Sequence, residues 1–96
     1  TGISSQTIEP VPDSQFELDV DLVLVAIGFT NPEPGGAVGE LGLELDKRGN
    51  IRDTAFKTNV NGVYTAGDCR VGASLVVTAI ADGRRCARVV DKALRA

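Results

Sequence analysis

Residue types that could hold a ligand gather in TNVNGVYTAGD, residues 58–68, and at the start of the segment behind it. Asn61-Gly62 is a turn pair, since both residues tolerate positive φ. Val63 to Ala66 reads as a short apolar strand ending on Gly67 and Asp68. A glycine at a strand end admits a bulky ligand or a second backbone. An aspartate at the carboxyl edge lies where open α/β sheets place their ligands. Its carboxylate can accept hydrogen bonds from two hydroxyls of a sugar or sugar alcohol. Other chemistry is excluded by composition. With no histidine, Ser-His-Asp and Cys-His catalysis are absent. Cys69 and Cys86 have neither CxxC nor metal-ligand spacing, and two thiols alone cannot complete a zinc site. No catalytic residue and no metal site is expected. The thiols read as small, half-buried and reduced, with a disulfide between them as the other option.

The elements that position this stretch follow from hydrophobic pattern. Residues 1–15, with Pro10 and Pro12, read as a loop or an edge strand. Phe16-Glu17-Leu18 alternates like a half-exposed strand, and Asp19-Val20-Asp21 turns the chain. Leu22 to Ile27, LVLVAI, is an unbroken apolar run closed by Gly28, as for a central strand buried on both faces. Pro32, Pro34, Gly35, Gly36 and Gly39 then form a flexible break. Leu41, Leu43 and Leu45 alternate with Gly42 and Glu44 before the charged turn Asp46 to Asn50, and Ile51 resumes a strand. This predicts a hairpin-like excursion, leucines inward, with Asp46, Lys47 and Arg48 at a solvated tip. From Ser74, an N-cap candidate, the period changes. Val76, Ile80, Gly83, Ala87, Val90 and Leu94 form one stripe of an amphipathic helix reaching Leu94. Thr78 and Asp82 are assigned to its surface, and its basic second half complements the helix dipole. The fold class is α/β: short strands plus a long C-terminal helix.

Ninety-six residues allow one small domain with a modest core. The net charge of −3 and 4% aromatic content disfavour nucleic acid as partner. No apolar run approaches the ~20 residues that span a bilayer. TGISSQTIEP lacks the basic start and apolar core of a signal peptide, so the chain reads as cytoplasmic.

TNVNGVYTAGD resembles the second flavin-binding fingerprint of flavoproteins with two dinucleotide-binding domains, in the pyridine nucleotide-disulfide oxidoreductase-like superfamily. SLVVTAIADGRRCARVVDKAL, residues 74–94, is similar to the last helix of the glutamate synthase small-subunit family. The likeness reaches back through FELDVDLVLVAIGFTNPE and LGLELDKRGNI, and so covers most of the chain. It implies a Rossmann-like FAD/NAD(P)-binding fold. Residues 1–29 would be the tail of the NAD(P)H-binding domain, and residues 30–96 the C-terminal part of the FAD-binding domain. Asp68 would hold the ribitol of FAD and Gly67 would admit the cofactor. The helix start at Ser74, Leu75 and Val76 would turn its unpaired amides toward the flavin, where they stabilise negative charge. Gly28 would keep the crossing between the domains narrow.

The resemblance further implies an NADPH-oxidising subunit that passes electrons through FAD to a large glutamate synthase subunit. Gly35, Gly36, Gly39 and Gly42 do not make a G-x-G-x-x-G phosphate turn. Both such motifs of the family, and its iron–sulfur segment, lie upstream of the matching stretch. The chain thus reads as a C-terminal piece, inactive alone and prone to self-association through unpaired strand edges. Two alternatives stand beside this: the equivalent flavin segment of a dihydropyrimidine dehydrogenase-like enzyme, and an independent α/β interaction module without cofactor.

Overall fold

A computed structural model describes residues 8–96; part of the expected N-terminal loop or edge strand, residues 1–7, lies outside it. Three helices occur in order: α1 (Ala37–Glu40), α2 (Asp68–Val71) and α3 (Val76–Arg95). Among the described residues, extended pairing is limited to three isolated antiparallel bridges: Leu45 with Ile51, Thr54 with Lys57, and Lys57 with Tyr64. No sheet forms among the described residues: of the expected short strands and long C-terminal helix, the helix is present and the strands reduce to these bridges. The LVLVAI run shows why. Leu22 is 74% exposed and Ile27 90%, so the run is neither paired nor buried. A strand needs a neighbour for its amides and carbonyls; Phe16 and Leu18 are likewise exposed, and the extended residues 45–65 are bonded to one another. Thr65 N–H donates to the Phe56 carbonyl at 2.9 Å, and Thr58 N–H to the Val63 carbonyl at 3.1 Å.

From Asn31 onward the chain packs on itself. The expected hairpin is present, with Leu45 bridged to Ile51 across the Asp46–Asn50 turn. Asp46 organises that turn. Its carboxylate accepts the N–H groups of Arg48 and Asn50 at 2.8 and 3.1 Å, and its own N–H donates to the Asn50 carbonyl at 2.7 Å. Hydrogen bonding from Asn50 and the Arg48 charge hold the Asp46 carboxyl below its ordinary pKa. The leucines do not turn fully inward: Leu41 stays 49% exposed and Leu45 37%. The Asn31 side-chain amide donates to the Arg48 carbonyl and the Asn50 side chain, fixing the point where the exposed N-terminal stretch meets the body. Gly49 is favoured here by its φ of 86°, and a Cβ would also sit 2.9 Å from the Asn31 side chain.

The Pro-Gly stretch expected as a flexible break contains α1, whose turns are closed by bonds from Glu40 to Gly36 and from Leu43 to Val38. The Asn61-Gly62 turn is confirmed. Val63 N–H donates to the Val60 carbonyl at 3.1 Å, with Gly62 at φ 81°. Helix α3 runs as expected within two residues of the expected start. Its face is another matter. Ala79, Cys86, Val89 and Val90 are half-buried, and Asp82 is 1% exposed. Val76, Ile80 and Leu94 of the expected inward stripe are 74%, 57% and 82% exposed, and only Val90 of that stripe is half-buried. The helix is therefore rotated relative to its apolar stripe, and Asp82 is not a surface residue. Asp82 turns inward because the Arg70 guanidinium and the Gly67 N–H both donate to its carboxylate.

Candidate functional site

Gly67 is the pivot of the site. It adopts φ 76° and ψ −147°, a region essentially closed to residues with a Cβ. A Cβ there would meet only Ala79, at 3.8 Å. Conformation, rather than crowding within the chain, demands the glycine. Its N–H donates to Asp82 Oδ2 at 2.8 Å, and its carbonyl accepts the N–H groups of Arg70 and Val71, each at 3.0 Å. The chain thereby reverses direction, and Asp68 emerges at the start of α2 with its side chain toward solvent.

Around Asp68 the structure assembles several of the expected residues. Ser74 Oγ donates to Asp68 Oδ1 at 3.3 Å. Ser74 is thus not the N-cap of α3; Leu75 occupies that position, with φ −69° and ψ 149° and no side-chain cap. The first amides of α3, from Val76 on, have no intrahelical acceptor. Leu75 and Val76 are 72% and 74% exposed at this helix end. Asp68, Cys69 and Ala73 share an open cavity of about 250 Å³ with residues 29–32, so the segment after Gly28 reaches the same place. Gly28 itself has φ 80° and no neighbour close enough to crowd a side chain. It borders the cavity's lining without joining it.

The donor set has a defined chemistry. An exposed carboxylate and a hydroxyl suit the hydroxyls of a polyol, while free helix amides suit an anionic or carbonyl-rich edge. The cavity falls just below the roughly 300–1,000 Å³ typical of whole-ligand pockets. These residues therefore fit one portion of an extended cofactor such as FAD. Among the described residues, no group of three His, Cys, Asp or Glu side chains is placed to hold a metal ion.

Beneath this surface lies an ionic network that the sequence pattern conceals. Asp82 accepts Arg70 Nε at 2.9 Å and Arg70 Nη2 at 2.7 Å, a two-pronged guanidinium–carboxylate pair. Arg85 adds a longer contact to Asp82 at 3.4 Å. Arg70 Nη1 reaches Asp53 at 3.3 Å, and its guanidinium lies 4.4 Å from the centre of the Phe56 ring. Phe56 has φ 71°, a strained value for an aromatic residue. Its N–H donates to Asp53 at 2.9 Å, and the stacked Arg70 holds the ring. The hydrogen bonds from Arg70 hold the Asp82 carboxyl down at about 2, against its burial, and the Gly67 N–H adds to the effect. The same pairing raises the Arg70 pKa above its ordinary value. Burial pushes the Cys86 thiol up, with Asp82 adding to it. Both cysteines are free and half-buried, and Cys69 Sγ donates to the Ala66 carbonyl at 3.2 Å. One sequence signal pointed to Asp82: it shares a helix face with the small residues Ala79 and Cys86.

Comparison with known proteins shows the family of this chain. The pyridine nucleotide-disulphide oxidoreductase family matches residues 3–83. The glutamate synthase (NADPH) small chain of Mycobacterium tuberculosis H37Rv is 49% identical over 88% of this chain. That of Azospirillum brasilense is 42% identical over 85%, and the glutamate synthase (NADH) of Schizosaccharomyces pombe 41% over 88%. The matched region spans 17% of each of the two small chains and 4% of the S. pombe protein. No solved structure matches the chain. The family implies a Rossmann-like fold and the use of flavin and pyridine nucleotide, and the long C-terminal helix is consistent with it. The chain belongs to the pyridine nucleotide-disulphide oxidoreductase family and is similar to the glutamate synthase small chain.

Proposed function

We propose that this chain supplies the ribitol-binding and flavin-facing portion of an FAD-dependent, NADPH-oxidising subunit of the glutamate synthase small-chain type. The observation that carries the reading is Asp68: an exposed carboxylate beside the Ser74 hydroxyl, one residue past an obligatory glycine and next to the amino end of α3. Asp68 accepts hydrogen bonds from the ribitol. The Leu75 and Val76 amides face the pole of the flavin that gains negative charge on reduction. Gly28 and the residues after it approach from the nucleotide side. FAD supplies the electron transfer, and this chain's residues bind and orient it. Residues 1–29 belong with the NADPH domain and residues 30–96 with the FAD domain. The division is supported by the contrast between exposed residues 8–30 and the body that begins at Asn31. Electrons then pass to a large-subunit partner that makes glutamate, as the small-chain names of the relatives suggest.

The test is titration of the deflavinated protein with FAD, wild type against Asp68→Ala. Hydrogen bonds to a charged acceptor contribute about 1.5–3 kcal/mol, so the variant is expected to bind roughly 10- to 100-fold more weakly. Equal affinity in the two proteins would remove Asp68 from the site.

A further inference from the structure

The least exposed side chain of the body, Asp82, touches no part of the candidate cavity, yet it bonds to the residue immediately before Asp68. We infer that Asp82, clamped by Arg70, is a positioning residue that sets the direction of the Asp68 carboxylate relative to the amino end of α3.

Gly67 is the joint between the two groups. Its backbone angles are open to many alternatives, because glycine explores both signs of φ. Within the chain, the bond from its N–H to Asp82 and the bonds from Arg70 and Val71 to its carbonyl select one of them. Asp82 stands two turns into α3, so this contact ties the Gly67–Asp68 peptide to the same helix whose first turn carries Leu75 and Val76. The two groups that face the cofactor, the carboxylate and the helix amides, are thereby held in one frame. A rotation of Gly67 would swing Asp68 away while leaving its chemistry intact.

Arg70 completes the device. Its fork fixes both Asp82 oxygens, and its third nitrogen binds Asp53 at the Phe56 turn. All of the buried side-chain polar atoms among the described residues are satisfied. A buried ion pair is often no more stabilising than apolar residues of similar volume. Here the particular gain of a carboxylate at position 82 is an acceptor for Gly67 N–H.

The inference rests on Asp68 as a ribitol ligand, and a double-mutant cycle separates the two claims. Deflavinated wild-type protein, Asp82→Asn, Asp68→Ala and the double variant are titrated with FAD, and the visible flavin spectrum of each loaded form is recorded. Asp82→Asn keeps one oxygen but sets its amide NH2 against Arg70 Nη2, 2.7 Å from the atom it replaces, which pushes the side chain off the Gly67 N–H. It is expected to weaken FAD about tenfold and alter the spectrum when Asp68 is present. It is expected to change affinity less than twofold when Asp68 is already alanine. A loss of equal size in both backgrounds, or no loss in either, overturns the positioning role. An Asp68→Ala protein with unchanged affinity instead sinks the ribitol assignment beneath it. Should Asp82→Asn fail to fold, Arg70→Lys enters the same cycle, since it keeps the charge but loses the fork that orients Asp82.

Discussion

On the side of α3 turned toward the rest of the chain stand Ala79, Asp82, Cys86 and Val89; on the side turned away stand Val76, Ile80, Gly83 and Ala87. Most amphipathic helices bury their apolar stripe and expose their charges. In this helix the most enclosed residue is an acid, and Ile80 remains 57% exposed. The body's only fully buried hydrophobic residue among those described is Ile51, at 7% exposure. What binds α3 to the body is thus mainly the carboxylate of Asp82 with its guanidinium and amide partners. Along the apolar side, Val76, Ile80 and Leu94 stay mostly exposed, and only Val90 is half-buried.

That contrast can be broken most forcefully at Asp82. Asp82→Ala leaves the Arg70 guanidinium half-buried without its main partner and Gly67 N–H without an acceptor. Removing one member of a buried pair costs about 3–5 kcal/mol, so the urea midpoint should fall steeply or the cooperative transition vanish. A midpoint within experimental error of wild type would show that the inner face holds by other means.

Acid sharpens the same comparison at lower amplitude. The folded pKa of Asp82, about 2, lies below its ordinary value of 3.8. Its stabilisation is complete above pH ~4 and is lost as pH falls from about 4 toward 2. Unfolding midpoints measured across this window should drop in wild type and drop less in Asp82→Asn. Parallel curves would assign acid sensitivity to other carboxylates. The smallest effect is expected on the outer face. Ile80→Ser should shift the stability of this chain by no more than about 0.5 kcal/mol, as for a surface substitution. A loss above about 2 kcal/mol would mean that the outer side is packed after all.

Some elements were legible in the residues and some were not, for physical reasons. Local signals carried over well: the Asn61-Gly62 turn, the Asp46–Asn50 turn and the long helix from its 3.6-residue period all exist. Each depends on bonds between near neighbours in sequence. LVLVAI was misleading, because an apolar β-branched run specifies a strand only when a neighbouring strand is available to it. Asp82 was misassigned for the converse reason: a charge on a helix usually faces water, and its partners lie far away in sequence.

By itself the sequence determined that a Gly-Asp step would follow a short extended segment and that a long helix would stand behind it. It also carried the family likeness, through TNVNGVYTAGD and the helix after it. Only the tertiary structure decided which side of α3 turns inward, that Ser74 bonds Asp68 rather than capping the helix, and that Arg70 and Asp82 meet beneath the site. Turns and helices are settled by the few residues that form them. The meeting of Gly67 with Asp82, fifteen residues on, is chosen by the packing of α3 against the body, where an Arg70 guanidinium and a Gly67 N–H left without an acceptor would cost more than an exposed isoleucine.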